Sequence, residues 1–257
     1  MSIANQLLIL SQTKNNIKES INLKGVEVTD EAFAEYPDKI RQIPNGGGWY
    51  ESNVILFLER KIRTAVIPEG ITTIGNSSFN DCASLTNVTI PDSVTSIGDS
   101  AFYDCSSLTS VIIPSSVTSI SSRAFFKCSS LTSVTIGSGV TSIGMAAFYS
   151  CSSLTSVIIP DSVTSIGDNA FNKCTSLANV TIGNSVTNIG EYAYSDCASL
   201  TSVTVNATTP PTLGSSAFNS TNNCPIYVPD DSVLAYQTSD KWIEYANRIK
   251  GISEKPQ

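Results

Sequence analysis

Six cysteines recur at a single spacing: Cys82, Cys105, Cys128, Cys151, Cys174 and Cys197 stand 23 residues apart each time, and the text around them recurs with them. Residues 88–110, VTIPDSVTSIGDSAFYDCSSLTS, serve as the type unit. An aromatic lies three residues before each Cys (Phe79, Phe102, Phe125, Phe148, Phe171, Tyr194) and a Leu three after (Leu85, Leu108, Leu131, Leu154, Leu177, Leu200). Val88, Val111, Val134, Val157, Val180 and Val203 follow at six, and Ile90, Ile113, Ile136, Ile159, Ile182 and Val205 at eight, alternating as a strand does. A second apolar pair precedes the Cys by eleven (Ile71, Val94, Val117, Val140, Val163, Val186) and by eight (Ile74, Ile97, Ile120, Ile143, Ile166, Ile189). A unit this short cannot bury its own apolar face. The coils must stack, with like residues in columns, and the chain is predicted to be a solenoid of six coils.

The turn residues agree. Pro68, Pro91, Pro114 and Pro160 follow the strand, where a missing N–H no longer interrupts a ladder, and Gly137 and Gly183 take that place in two coils. Gly75, Gly98, Gly144, Gly167 and Gly190 follow the second Ile and are expected to hold a positive φ or a close backbone contact; Ser121 is the exception.

The string LTNVTIPDSVTSIGDSAFYDCSS resembles the BspA-like class of leucine-rich repeats, found in many bacterial surface and gut-associated proteins, and the resemblance covers about residues 65 to 205. It implies a leucine-rich-repeat solenoid with short β-strands in each 23-residue coil, stacked in a curved right-handed array. It also implies a role in adhesion and recognition, without catalysis and without a cofactor.

Residues 1–43 read as a helical attachment or oligomerisation module: Leu7, Leu8, Ile17 and Ile21 give an apolar stripe, and Thr29 or Asp30 can cap a second helix carrying Phe33, Tyr36 and Ile40. Pro44 and the run Gly46, Gly47, Gly48 open a linker and lead-in over 44–64. The stretch TKNNIKESINLKGVEVTDEAFAEYPDKIRQIP, residues 13–44, is similar to a short N-terminal module of phage and prophage tail proteins. After the repeats of 65–205, residues 206–257 read as a degenerate coil, broken at Pro210 and Pro211, and an α/β cap. That cap has a strand at IYV, a helix start at Asp230 or Asp231, and a helix burying Trp242, Tyr245 and Ile249.

Composition excludes several functions. The chain has no histidine, which removes the commonest general base and metal ligand. Its formal charge of -7 argues against nucleic acid and anionic membranes as partners. No apolar run is long enough to span a bilayer, and MSIANQLLILSQTKNN has neither the basic start nor the small-residue cleavage site of a secretory signal. The stacked cysteines read as buried thiols, because parallel side chains one strand spacing apart hold their Cβ atoms too far apart for a relaxed disulfide, and thiolates on one line cannot surround a metal. The Asn-X-Thr acceptor patterns at Asn87, Asn179 and Asn206 read as by-products of the repeat.

Two rows are candidate binding surfaces. Outward positions of the strand carry Asn87, Ser110, Ser133, Ser156, Asn179 and Ser202, then Thr89, Ile112, Thr135, Ile158, Thr181 and Thr204. This weakly polar face suits a glycan or an extended peptide, although the same residues also suit strand propensity alone. Two residues before the Cys, three central coils carry Tyr103, Phe126 and Tyr149, which are expected to face outward as a stripe for sugar rings or a partner's apolar patch, or else to pack over a shallow groove. The function read from the sequence is host recognition from a virion tail, with a protein or glycan on a cell surface as the partner and the N-terminal helices as a homo-oligomer contact. The alternative is a bacterial cell-surface adhesin that binds host matrix protein or glycan.

Overall fold

The computed structural model describes residues 63–67 and 69–256; Pro68, the linker and the N-terminal module with its proposed tail-protein likeness lie outside the described residues. Each coil runs through a strand, a tight turn, a two-residue strand and a longer turn that carries the Cys. One face holds β1 (Thr64–Val66), β3 (Asn87–Thr89), β5 (Ser110–Ile113), β7 (Ser133–Ile136), β9 (Ser156–Ile159), β11 (Asn179–Ile182), β13 (Ser202–Val205), β15 (Ile226–Val228) and β16 (Ile249–Gly251). The second holds β2 (Thr73–Ile74), β4 (Ser96–Ile97), β6 (Ser119–Ile120), β8 (Ser142–Ile143), β10 (Ser165–Ile166), β12 (Asn188–Ile189) and β14 (Thr212–Leu213). All pairing is parallel, with residue i opposite i+23, as in Ser110↔Ser133 and Val180↔Val203. The second face is continuous over seven strands, whereas the first divides between β7 and β9. Val134, beside that division, is only half-buried where its column-mates are buried.

The described residues form about eight coils, more than the six marked by cysteine. The coil after Pro211 is complete. Phe218 continues the aromatic column, and Thr221 and Cys224 occupy the Cys and Leu columns, displaced by the one residue that makes β12 and β14 pair as Asn188↔Thr212.

The columns are the core. Phe79, Phe102, Phe125, Phe148, Phe171, Tyr194 and Phe218 stack with centroids 5.0–5.4 Å apart and planes within 7°. Beside them each Cys from Cys105 to Cys197 donates its S–H to the carbonyl of the Phe in the preceding coil, at 3.1–3.2 Å. All seven cysteines stand as thiols, and burial pushes Cys128 and Cys151 above the ordinary thiol range. Tyr194 is the one ring of the column with a hydroxyl. That oxygen is buried and has no protein partner, so Tyr194→Phe is expected to raise stability by about 1–2 kcal/mol in chemical denaturation. An unchanged or lowered stability would show that the hydroxyl is satisfied in solution.

Ser and Thr replace charge for a structural reason. Thr86, Thr109, Thr132, Thr155 and Thr201 each donate Oγ1–H to a backbone carbonyl one coil back, at 2.8–3.3 Å. Thr95, Thr118, Thr141, Thr164, Thr187 and Thr212 do the same on the other side, at 2.9–3.4 Å. These side chains tie the coils together where backbone ladders end.

The expected positive φ lies elsewhere than the glycines. Among the described residues the one positive-φ glycine is Gly70; Gly98, Gly144, Gly167 and Gly190 serve as close approaches, and a Cβ on Gly167 would meet the Gly144 carbonyl carbon at 2.7 Å. The left-handed positions are instead non-glycine, five and one residues before each Cys, such as Ser100 (φ 55°) and Asp104 (φ 53°). Between them alternate N–H groups reach the next coil, as in Ser100 N–H to Ser122 O, Phe102 N–H to Ala124 O and Asp104 N–H to Phe126 O. This third, turn-built face is bonded from coil to coil through the backbone, as the sheets are.

The cap also differs from expectation. Asp230 and Asp231 lie in a 3-10 turn, the helix α1 (Val233–Thr238) starts after Ser232 without a side-chain cap bond, and Trp242–Arg248 is a 3-10 helix. Ile249 opens β16, because a strand there extends the first face by one more parallel partner. Trp242, Tyr245 and Ile249 are buried as expected, with Trp242 tilted by 42° against Phe218 and Tyr245 edge-on to it.

Candidate functional site

The strand face carries the first candidate row. Asn87, Ser110, Ser133, Ser156, Asn179, Thr89 and Thr135 are exposed, and Thr181 is half-buried. Ile112 and Ile158 stand 67% and 68% exposed on either side of Thr135. Ser202 and Thr204, expected to face outward, are buried. The C-terminal tail reaches Thr204, with Lys255 Nζ donating to Thr204 Oγ1 at 3.0 Å, while Ser202 Oγ–H donates to Asn179 Oδ1 at 3.0 Å.

The turn face carries the second. Tyr103, Phe126 and Tyr149 do line up, with centroids at 4.8 and 4.7 Å and planes within 6°. They are half-buried and lie face on face, so both faces of Phe126 are covered. In the next coils the same position holds Asn80 and Asn172, whose buried Oδ1 atoms lack hydrogen-bond partners in the protein. Lys173 Nζ sits 5.5 Å over the Tyr149 ring. What reaches solvent is a row of ring edges and hydroxyls. Sugar stacking needs ring faces, so the stripe does not present the platform expected of it.

Beside the rings, the residue immediately before each Cys is turned outward by its left-handed backbone: Asp81, Asp104, Lys127, Ser150, Lys173 and Asp196. Asp104, Lys127, Ser150, Lys173 and Asp196, together with Ser129, Ser152 and Thr175, line an open groove of about 590 Å³. Lys127 Nζ lies 5.7 Å from the Phe126 ring centroid. The Tyr149 hydroxyl, by accepting a hydrogen bond, and then the Asp196 charge hold Lys173 above the usual lysine range. Sequence reasoning missed this row. Its signal is a column that passes from acidic to basic and back to acidic along the stack while the inward columns stay constant. The groove offers cations, hydroxyls and flanking carboxylates, an arrangement suited to polar recognition.

A sequence profile described as BspA type Leucine rich repeat region (6 copies) matches residues 53–174 and 141–237. Among solved structures, the chain is similar to a leucine-rich repeat protein from T. pallidum, with 30% identity over 65% of this chain and 80% of that one and a TM-score of 0.60. It is also similar to a leucine-rich repeat protein from Bacteroides ovatus (28% identity, 56% and 49% covered, TM-score 0.41) and to the pneumococcal vaccine antigen PcpA (17% identity, 74% and 66% covered, TM-score 0.44). No curated protein matches the chain.

Proposed function

The chain belongs to the family of BspA-type leucine-rich repeat proteins, and from that premise we propose that it is a non-catalytic recognition protein of a bacterial cell surface, binding host matrix protein or glycan. One observation carries the reading. Inward columns hardly vary, whereas the residues before the Cys vary in charge and shape and line a groove, as expected of a scaffold whose outer rows are free to specialise. The groove's side chains are lysines, aspartates, serines and a threonine, with no base–nucleophile pair bonded for attack. The nearby thiols are buried in the column and engaged with carbonyls.

The test is binding of immobilised full-length chain to a panel of matrix proteins and surface glycans at physiological ionic strength. Saturable binding without turnover is expected; no saturable binding, or chemical conversion of a bound ligand, would sink the reading. The virion-tail reading draws on the likeness of residues 13–44 and on an N-terminus read as lacking a secretory signal. Antibody labelling of particles from an induced prophage would replace the cell-surface reading with it.

A further inference from the structure

We propose that Lys127, Ser150 and Lys173 form a site for an acidic saccharide chain that carries a carboxylate or sulfate on every second sugar. This rests on the recognition reading above and specifies its ligand. Between residues 65 and 203 the chain has nine acidic residues and three basic ones, and all three basic residues (Arg123, Lys127, Lys173) lie on the turn face. An anionic ligand is repelled by the rest of the solenoid and drawn to this spot.

Neither groove lysine makes an ion pair among the described residues. The ion pair among these residues is Lys241–Glu244, far along the cap, whereas Lys127 and Lys173 lie 5.7 and 5.5 Å from the Phe126 and Tyr149 ring centroids, beside groups that do not cancel the ammonium charge. The two lysines hold the same position two coils apart, about 10 Å at two strand spacings, with Ser150 between them. One coil step is close to the length of one sugar ring along an extended chain. The spacing therefore matches an anionic group on alternate sugars. Ser129, Ser152 and Thr175 supply one hydroxyl per step for the hydroxyls of successive rings.

An acidic peptide fits less well. The groove's N–H groups are already used along the solenoid, with Lys127 N–H to Tyr149 O at 2.8 Å, Ser150 N–H to Asn172 O at 2.8 Å and Lys173 N–H to Ser195 O at 3.0 Å. An extended peptide finds no ladder to join. Asp104 and Asp196, one coil beyond each lysine, close the site to further anionic groups.

The test is calorimetry of the full chain with a hyaluronan octasaccharide, a chitin oligosaccharide as the neutral comparator and a poly-glutamate peptide as the acidic one. Hyaluronan is expected to bind at least tenfold more tightly than either, with affinity falling as salt rises. Lys127→Gln with Lys173→Gln should weaken it at least tenfold, and Asp104→Asn with Asp196→Asn should strengthen it several-fold. The remote pair Lys241→Gln with Lys250→Gln should change nothing. If the double lysine variant fails to fold, Ser150→Glu, which sets a carboxylate between the lysines, should abolish binding. Equal binding of the chitin oligosaccharide, tighter binding of poly-glutamate, indifference to the lysine and Ser150 substitutions, or no hyaluronan binding each overturns the site. Matrix-protein binding that persists after such a result leaves the recognition reading intact and removes only this proposal.

Discussion

Arg248→Ala is expected to cost about 3–4 kcal/mol of unfolding free energy and to make the protein associate at its C-terminal end. The guanidinium is buried. It donates Nε–H to Cys224 O at 2.8 Å and Nη2–H to Thr221 Oγ1 at 2.9 Å, points Nη1 at Phe218 O at 3.5 Å, and lies 5.3 Å over the Tyr245 ring. Truncation strands the Cys224 carbonyl and loosens Tyr245, whose edge covers the last ring of the aromatic column. Arg248→Met should recover the packing share, about 1 kcal/mol, and leave the polar share lost. Denaturant melts with light scattering decide the matter. A loss below about 1 kcal/mol with an unchanged monomer would show that the cap does not depend on this residue.

Replacing Tyr103, Phe126 and Tyr149 together by serine is expected to cost on the order of 5 kcal/mol, since two ring stacks contribute about 0.5–1.5 kcal/mol each and three half-buried rings add their apolar area. Had these rings projected freely into solvent, the same substitution would leave stability nearly unchanged. The control is Ile112→Ser with Ile158→Ser on the strand face, where both side chains are exposed and stability should hardly move. Thermal melts of the two variants side by side separate the alternatives, and equal melting temperatures would return the rings to the surface.

The inward columns were legible in the sequence because burial repeats with the coil: Phe102, Cys105, Leu108, Val111 and Ile113 sit where strand alternation and stacking require. The two left-handed positions were not. Ser100, Arg123, Ala146, Asn169 and Tyr192 share a backbone conformation without sharing a chemistry, and the strain is overruled by hydrogen bonds to the next coil. Nor could the burial of Thr204 be read locally, since its cover comes from Lys255 at the far end of the chain. The groove escaped notice for another reason. A periodic reading seeks what stays constant, and Asp104, Lys127, Ser150, Lys173 and Asp196 are conspicuous only for changing.

The in-register stack of coils also bears on how such a chain changes its reach. Neighbouring coils share their inward residues at a 23-residue period, so inserting or removing one whole unit sets a coil between two that already fit it. The C-terminal end stays closed, because the cap packs at the end of the stack. Duplicating the coil that carries Lys127 or Lys173 lengthens the charged groove by one step without disturbing any column. The contact length offered to a polymer is thus adjustable in whole units, by a step that point substitution cannot imitate.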